Sequence, residues 1–197
     1  MALSVFVKIS NISNLSDARY CAGMMADMLG FNLQQTSPDY IDPSRFMEIT
    51  QWVSGVKLVG EYGTSAVDDI RLTYTDYPLD FLETSRFDQL EEICQLGIPV
   101  IFRLPLTESP AELATKIEYA AELVHTIILQ TSNPVFPDAP ARTSGTTPFL
   151  LSAPFTKENI QSLPGNWTGI ELSGTPEERP GLKDYGLVMD ILETLEE

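Results

Sequence analysis

VIFRLPLTESPAELATKIEYAAELVHTIILQ, residues 100–130, is the stretch from which the rest of the chain is read. Two short β-branched runs, Val100–Leu104 and Thr126–Gln130, enclose Pro110–Leu123, where apolar residues recur at three- and four-residue spacing. Strand, helix and strand in that order make a βαβ unit and hence a parallel sheet. The same alternation extends in both directions. Further strands are expected at Val5–Ser10, Met28–Leu33, Val56–Gly60, Leu79–Glu83, Phe149–Ser152 and Gly169–Leu172. Further helices are expected at Leu15–Met25, Pro43–Val53, Ala66–Tyr74, Phe87–Leu96, Lys157–Leu163 and Lys183–Leu195. Eight strands and seven helices predict a closed (β/α)8 TIM barrel at the small end of that fold's size range.

The missing helix is the sixth. Thr131–Pro148, TSNPVFPDAPARTSGTTP, carries four prolines and no helical period, so this unit is expected to be a loop. No Pro/Ser-rich linker divides the chain, and one barrel domain over residues 1–197 is expected. Ligands of such barrels meet the carboxyl ends of the strands. The residues there are Ser10, Leu33, Glu61, Glu83, Arg103, Gln130, Ala153 and Ser173.

Composition narrows the function. The chain has 28 acidic and 12 basic residues in 197, a formal net charge of −16 with His125 neutral. That excludes non-specific nucleic-acid binding, which needs clustered Lys and Arg against phosphate. With 43% apolar and 9% aromatic residues the chain can bury a core. The first residues, MALSVFVKIS, have neither the basic region nor the apolar run of a signal peptide, and nowhere does an apolar stretch approach about 18 residues. A cytoplasmic protein without a membrane span is the expectation. Cys21 and Cys94 are expected as reduced core thiols, and one histidine without a cysteine pair argues against a metal site. Asp68–Asp69 and Glu91–Glu92 read as solvated helix faces, and Trp52 and Trp167 as packing or loop-anchoring residues.

VKISNISNLSDARYCAGMMADMLGF, residues 7–31, followed by TSPDYIDP, resembles the opening of phosphoribosylanthranilate isomerases, the third-step enzymes of tryptophan biosynthesis. Those enzymes open with VKICGITN, a DA-containing first helix, GAD-LGF and SPRYI. The resemblance resumes at VKLVGEYG (56–63), FLLSAPFTKENI (149–160) and GIELSGTPEERPGLKD (169–184), and is thin over residues 61–148. It implies a (β/α)8 barrel, no cofactor, and an Amadori rearrangement that moves a proton from the sugar C2. That chemistry needs a general base, a general acid for the ring oxygen, an anion cradle for the phosphate and a cation for the anthranilate carboxylate.

Position by position, the sequence departs from this machinery. The family's cysteine base falls on Ser10, a far weaker proton acceptor without a neighbouring base. Its aspartate acid falls on Gln130, which has no proton to give. The arginine of SPRY is Asp39, which repels a carboxylate. The two phosphate glycines after the seventh strand are Ala153 and Pro154, and proline has no N–H to offer an oxyanion. The family's SSG at the eighth strand becomes Ser173, Gly174 and Thr175, either half an anion nest or a tight turn before Pro176. Glu83 stands at a glutamine position, Arg103 at a lysine position, Glu171 at an aspartate position, and Lys8 matches the family's lysine. Lys8 and Ser10 share strand parity and point into the barrel, where Lys8 and Arg103 are expected to offset Glu83 and Glu171 in a structural ion network.

Three readings follow. The chain is a phosphoribosylanthranilate isomerase-like barrel impaired or inactive in the rearrangement; or an enzyme on another small anionic substrate, with Glu83, Glu171 or Asp39 as acid or base and Arg103 or Lys8 as clamp; or a working isomerase. A small-molecule ligand is expected at the strand ends near Ser10, Gln130, Ser173 and Gly174. The loop Asn133–Pro148, with Val135 and Phe136, leaves room for a protein partner or a homodimer, or simply covers the flank exposed by the absent helix.

Overall fold

A computed structural model of the chain describes residues 3–140, 147–173 and 186–196. The first strand, β1 (Phe6–Ser10), leads through α1 (Leu15–Gly23) to β2 (Met28–Asn32), and the alternation continues with α2 (Pro43–Thr50), β3 (Lys57–Glu61), α3 (Val67–Thr73) and β4 (Phe81–Thr84). Then come α4 (Leu90–Cys94), β5 (Val100–Pro105), α5 (Pro110–Ala121), β6 (Thr126–Gln130), β7 (Phe149–Ser152), β8 (Gly169–Ser173) and α6 (Gly186–Leu195). All neighbouring strands are parallel, and β8 pairs with β1 from Phe6↔Gly169 to Ser10↔Ser173, which closes the barrel.

Local chemistry starts the helices where the strands end. Asn14 caps α1 by accepting from the Asp17 N–H at 3.0 Å, and Asp42 caps α2 by accepting from the Arg45 N–H at 3.0 Å. The fifth helix begins with a full capping box, Ser109 with Glu112, and carries Pro110 in its first turn.

Two expectations are corrected. The segment Lys157–Leu163 is not an α-helix but a single 3-10 turn at Ile160–Ser162, too short to propagate, as its apolar residues are few and Pro164 ends it. Trp52 does not pack: it is 66% exposed just beyond the end of α2. No helix stands among the described residues between β6 and β7, as the four prolines required. The start of the last helical segment, at Lys183, lies outside the described residues; its remainder forms α6.

Strand alternation splits the barrel into two environments. Residues such as Val7, Ile9, Leu29, Phe31, Leu82, Phe102, Ile127, Leu151 and Ile170 face the helices and are buried in the main core. The opposite parity points inward, where Met28, Val59, Ile101, Ile128 and Leu150, with Phe6 and Phe81 against them, form an apolar plug at the amino ends of the strands. Gly169 belongs to this closure, since a Cβ there would lie 2.7 Å from the Phe6 Cβ.

The loop after β6 is tied down by the segment before β8. Trp167 Nε1 donates to the Pro137 carbonyl at 2.9 Å, and Asn166 exchanges hydrogen bonds with the Ala139 backbone at 3.2 and 3.3 Å. Phe136 packs on Phe155 with ring centres 5.0 Å apart, while Val135 is 73% exposed. The loop thus covers part of the flank that the sixth helix would have covered. No described helix is long and apolar enough to cross a membrane. The acidic pairs Asp68–Asp69 and Glu91–Glu92 face solvent, and neither Cys21 nor Cys94 forms a disulfide among the described residues.

Candidate functional site

One inward step above the apolar plug, the barrel is filled by charge. TIM-barrel interiors are ordinarily layers of bulky branched side chains. Here the same parity that places Val59, Ile101 and Leu150 in the plug places Glu61, Arg103 and Ser152 in the next layer, with Lys8, Glu83 and Glu171 beside them.

The five charged groups satisfy one another. Lys8 Nζ, with its side chain fully buried, lies 2.5 Å from Glu61 Oε1, 2.8 Å from Glu83 Oε2 and 3.4 Å from Glu171 Oε1. Arg103 reaches across the barrel: its Nε donates to Glu83 Oε1 at 2.6 Å, its Nη1 to Glu171 Oε2 at 2.9 Å and its Nη2 to Glu171 Oε1. The Ser10 hydroxyl accepts from Lys8 and donates to Glu171. Glu61 is held from above by the Asn11 N–H at 3.2 Å. The contact of Lys8 with Glu83 Oε2 is an ion pair without hydrogen-bond alignment, so that buried oxygen has no donor among the described residues.

Charge sets the protonation of this layer. Burial by itself would raise the Glu171 pKa, but the Arg103 and Lys8 charges and the hydrogen bonds from Arg103 and Ser10 outweigh it and hold the carboxyl well below its ordinary range. For Lys8, burial works downward and is outweighed by Glu61, Glu83 and Glu171, which drive the ammonium above its usual value. Arg103 is shifted the same way by Glu83 and Glu171, which outweigh its burial. Glu61, Glu83 and Glu171 each bring a carboxylate oxygen within 4.8 Å of the others, a spacing that fits a divalent cation. The Lys8 ammonium already occupies the place such an ion would take.

Above the charged layer opens a cavity of about 220 Å³ at the carboxyl ends of the strands. Its floor is Glu61, Glu83, Glu171 and Arg103, and its wall is made of neutral polar side chains, among them Ser10, Asn11, Ser85, Gln130 and Ser173. Asn11, where the chain leaves β1, holds a left-handed backbone with φ 57°, a conformation that asparagine tolerates better than most residues. Asn32 and Gln34 complete the wall and are hydrogen-bonded to Ser37 and Thr36, each at 3.1 Å.

The structure thus brings Ser10, Gln130, Glu83, Arg103, Glu171 and Ser173 to one cavity, with Lys8 sealed directly beneath it. It does not bring Asp39, Ala153 or Pro154 to the wall of that cavity. Asp39 and Pro154 are exposed, and Ala153 is half-buried against the core. Gly174 and Thr175 lie outside the described residues. The expected ion network forms, with one member not foreseen: Glu61, whose parity relative to Val59 was the available signal. Asn11 and Gln34 carry no sequence signal, because loop residues have no periodicity that aims them at a mouth, whereas Asn32 closes β2 in the inward parity of Met28, which was the available signal.

No family model matches the chain. A phosphoribosylanthranilate isomerase from Crocosphaera subtropica is 27% identical over 208 aligned positions that cover 96% of this chain and 97% of that one. Among solved structures, the isomerase of Thermus thermophilus superposes with a TM-score of 0.73 at 21% identity, over 96% of this chain and 98% of that one. The TrpF of Jonesia denitrificans gives a TM-score of 0.76 at 16% identity, over 97% and 96% of the two chains. The Thermotoga maritima isomerase likewise reaches 0.76, at 21% identity over 97% and 98%. Closed parallel barrel and near full-length alignment therefore agree: the chain has the fold of the phosphoribosylanthranilate isomerases and is similar to one of them in sequence along nearly the whole of both chains.

Proposed function

We propose that this isomerase-like barrel is impaired or inactive in the Amadori rearrangement of N-(5'-phosphoribosyl)anthranilate. The observation that carries this reading is the state of Ser10, which stands where the family has its base. Its hydroxyl accepts from Lys8 and donates to Glu171. To become a base it would have to hand its proton to Glu171, a carboxyl held far below its ordinary pKa and therefore a poor acceptor. Gln130, at the acid position, has no proton to transfer. Loss of a single general acid or base typically costs on the order of 100- to 10,000-fold in rate. Asp39, aligned with the family's arginine, has no donor to clamp a carboxylate.

A second reading, a working isomerase of tryptophan biosynthesis, is favoured by the alignment with the Crocosphaera subtropica enzyme across nearly the whole of both chains. A related crystal structure contains reduced 1-(o-carboxyphenylamino)-1-deoxyribulose 5-phosphate, and another reports monomers made from the dimeric Thermotoga maritima enzyme. A ligand at the mouth and pairing of two copies are the corresponding proposals for this chain.

Phosphoribosylanthranilate generated in situ and followed by loss of its fluorescence separates the two readings. The expected result is no turnover above buffer for the wild type, with some recovered by Ser10→Cys combined with Gln130→Asp. Turnover by the wild type well above buffer overturns the first reading and establishes the second.

A further inference from the structure

The mouth cavity has a chemistry of its own. Its three floor carboxylates are met by only two cations, Lys8 and Arg103, so the formal charges leave one negative in excess. Both cations are already matched to carboxylates: Arg103 gives its Nε and one N–H of each terminal nitrogen to Glu83 and Glu171, and Lys8 is fully buried among the three. The backbone N–H of Asn11, the nearest main-chain donor at the end of β1, is spent on Glu61. An anion entering this cavity therefore finds one negative charge in excess and, among the described residues, only cations already paired with carboxylates.

The wall offers something else. The side chains of Asn11, Ser85 and Gln130 line the cavity and make no side-chain hydrogen bond among the described residues. Two amides and a hydroxyl supply both donors and acceptors without charge. A sugar hydroxyl is likewise donor and acceptor at once, so it pairs with such groups without stripping water from an ion. At about 220 Å³ the cavity is smaller than those that hold drug-sized ligands, roughly 300–1,000 Å³.

We infer that the barrel mouth binds a small, uncharged, polyhydroxylated molecule of about the size of a pentose, held by Asn11, Ser85 and Gln130, and that a phosphate on that molecule weakens binding. This rests on the reading that the phosphate and carboxylate contacts of the family are lost from this mouth.

The experiment titrates the full chain with D-ribose and with D-ribose 5-phosphate, read by saturation-transfer NMR and by calorimetry. Saturable ribose binding is expected, at least tenfold weaker for the phosphate ester. Gln130→Ala and Asn11→Gly, the latter compatible with the left-handed backbone, should each weaken ribose several-fold while the thermal melting midpoint stays put. Equal or tighter binding of ribose 5-phosphate overturns the inference. So does the absence of saturable ribose binding, or ribose binding indifferent to both variants. Turnover of phosphoribosylanthranilate is measured separately: no turnover together with no ribose binding sinks this inference alone, whereas turnover sinks the reading on which it rests.

Discussion

Gly30 on β2 and Glu61 on β3 share one small volume inside the barrel. A Cβ on Gly30 would lie 2.6 Å from Glu61 Cδ, closer still to its Oε1, and 3.0 Å from Lys8 Nζ. The glycine is the space into which the carboxylate and the ammonium fit. Gly30→Ala should therefore push Glu61 off Lys8 and cost about 1–3 kcal/mol in urea unfolding. In a Glu61→Ala background the same change should cost much less, because the clashing atoms are gone. Equal costs in both backgrounds would show that the two residues are not coupled.

Lys8 holds three buried carboxylates together, so its removal leaves them facing one another with only Arg103 in reply. Breaking a buried ion pair by removing one partner costs about 3–5 kcal/mol, since the orphaned charge stays desolvated. Lys8→Met is expected to lose stability in that range, and Lys8→Met with Glu61→Leu to recover part of it. Chemical denaturation checks both, and a neutral Lys8→Met would contradict the network as drawn.

The network also predicts a pH profile. Burial notwithstanding, Glu171 is held below its ordinary value of 4.5 by Arg103 and Lys8, so its contribution is full above that pH and is lost as the pH falls toward the folded-state value. For Lys8, raised above 10.5 by the three glutamates in spite of its burial, the contribution is full below that pH and is lost only as the pH climbs through the folded-state value. The stability owed to these two groups should thus be flat between the two ordinary values and decline on the acid side below about 4.5. Urea midpoints measured across that acid range test this; midpoints that rise on acidification would refute it.

The proline-rich loop should depend on the residues that pin it. Trp167→Phe removes the hydrogen bond to the Pro137 carbonyl, and Asn166→Ala removes both bonds to the Ala139 backbone. Each bond is worth about 1 kcal/mol. The double variant is expected to be cut faster by a protease within residues 131–148 while the barrel's unfolding midpoint falls by only a small amount. Cleavage at the wild-type rate would mean that other contacts hold the loop.

What could be read in advance followed the repeat. The β-branched runs at Val100–Leu104 and Thr126–Gln130 and the helical period between them are local signals, and the eight strands appear where such runs stand. The sixth-unit loop was equally visible, because four prolines suppress a helix whatever surrounds them. The segment Lys157–Leu163 departs from its helical period because a few apolar residues at that spacing do not overcome the cost of nucleating a helix before Pro164. Trp52 departs from the burial its type favours because it lies just beyond the last turn of α2, where its side chain is 66% exposed.

The amino-acid sequence by itself determined the barrel and the inward parity of Lys8 and Ser10. These rest on chain-local properties: side-chain period, turn chemistry and residue identity. Only the tertiary structure decided that Glu61 joins the ion layer, that Gly30 makes room for it, that Lys8 fills the space between three carboxylates, and that Asn11, Ser85 and Gln130 share one cavity. Those facts depend on how far each strand is staggered against the next around a closed sheet, and on where loops between strands come to rest. Neither is written in the period of any single segment.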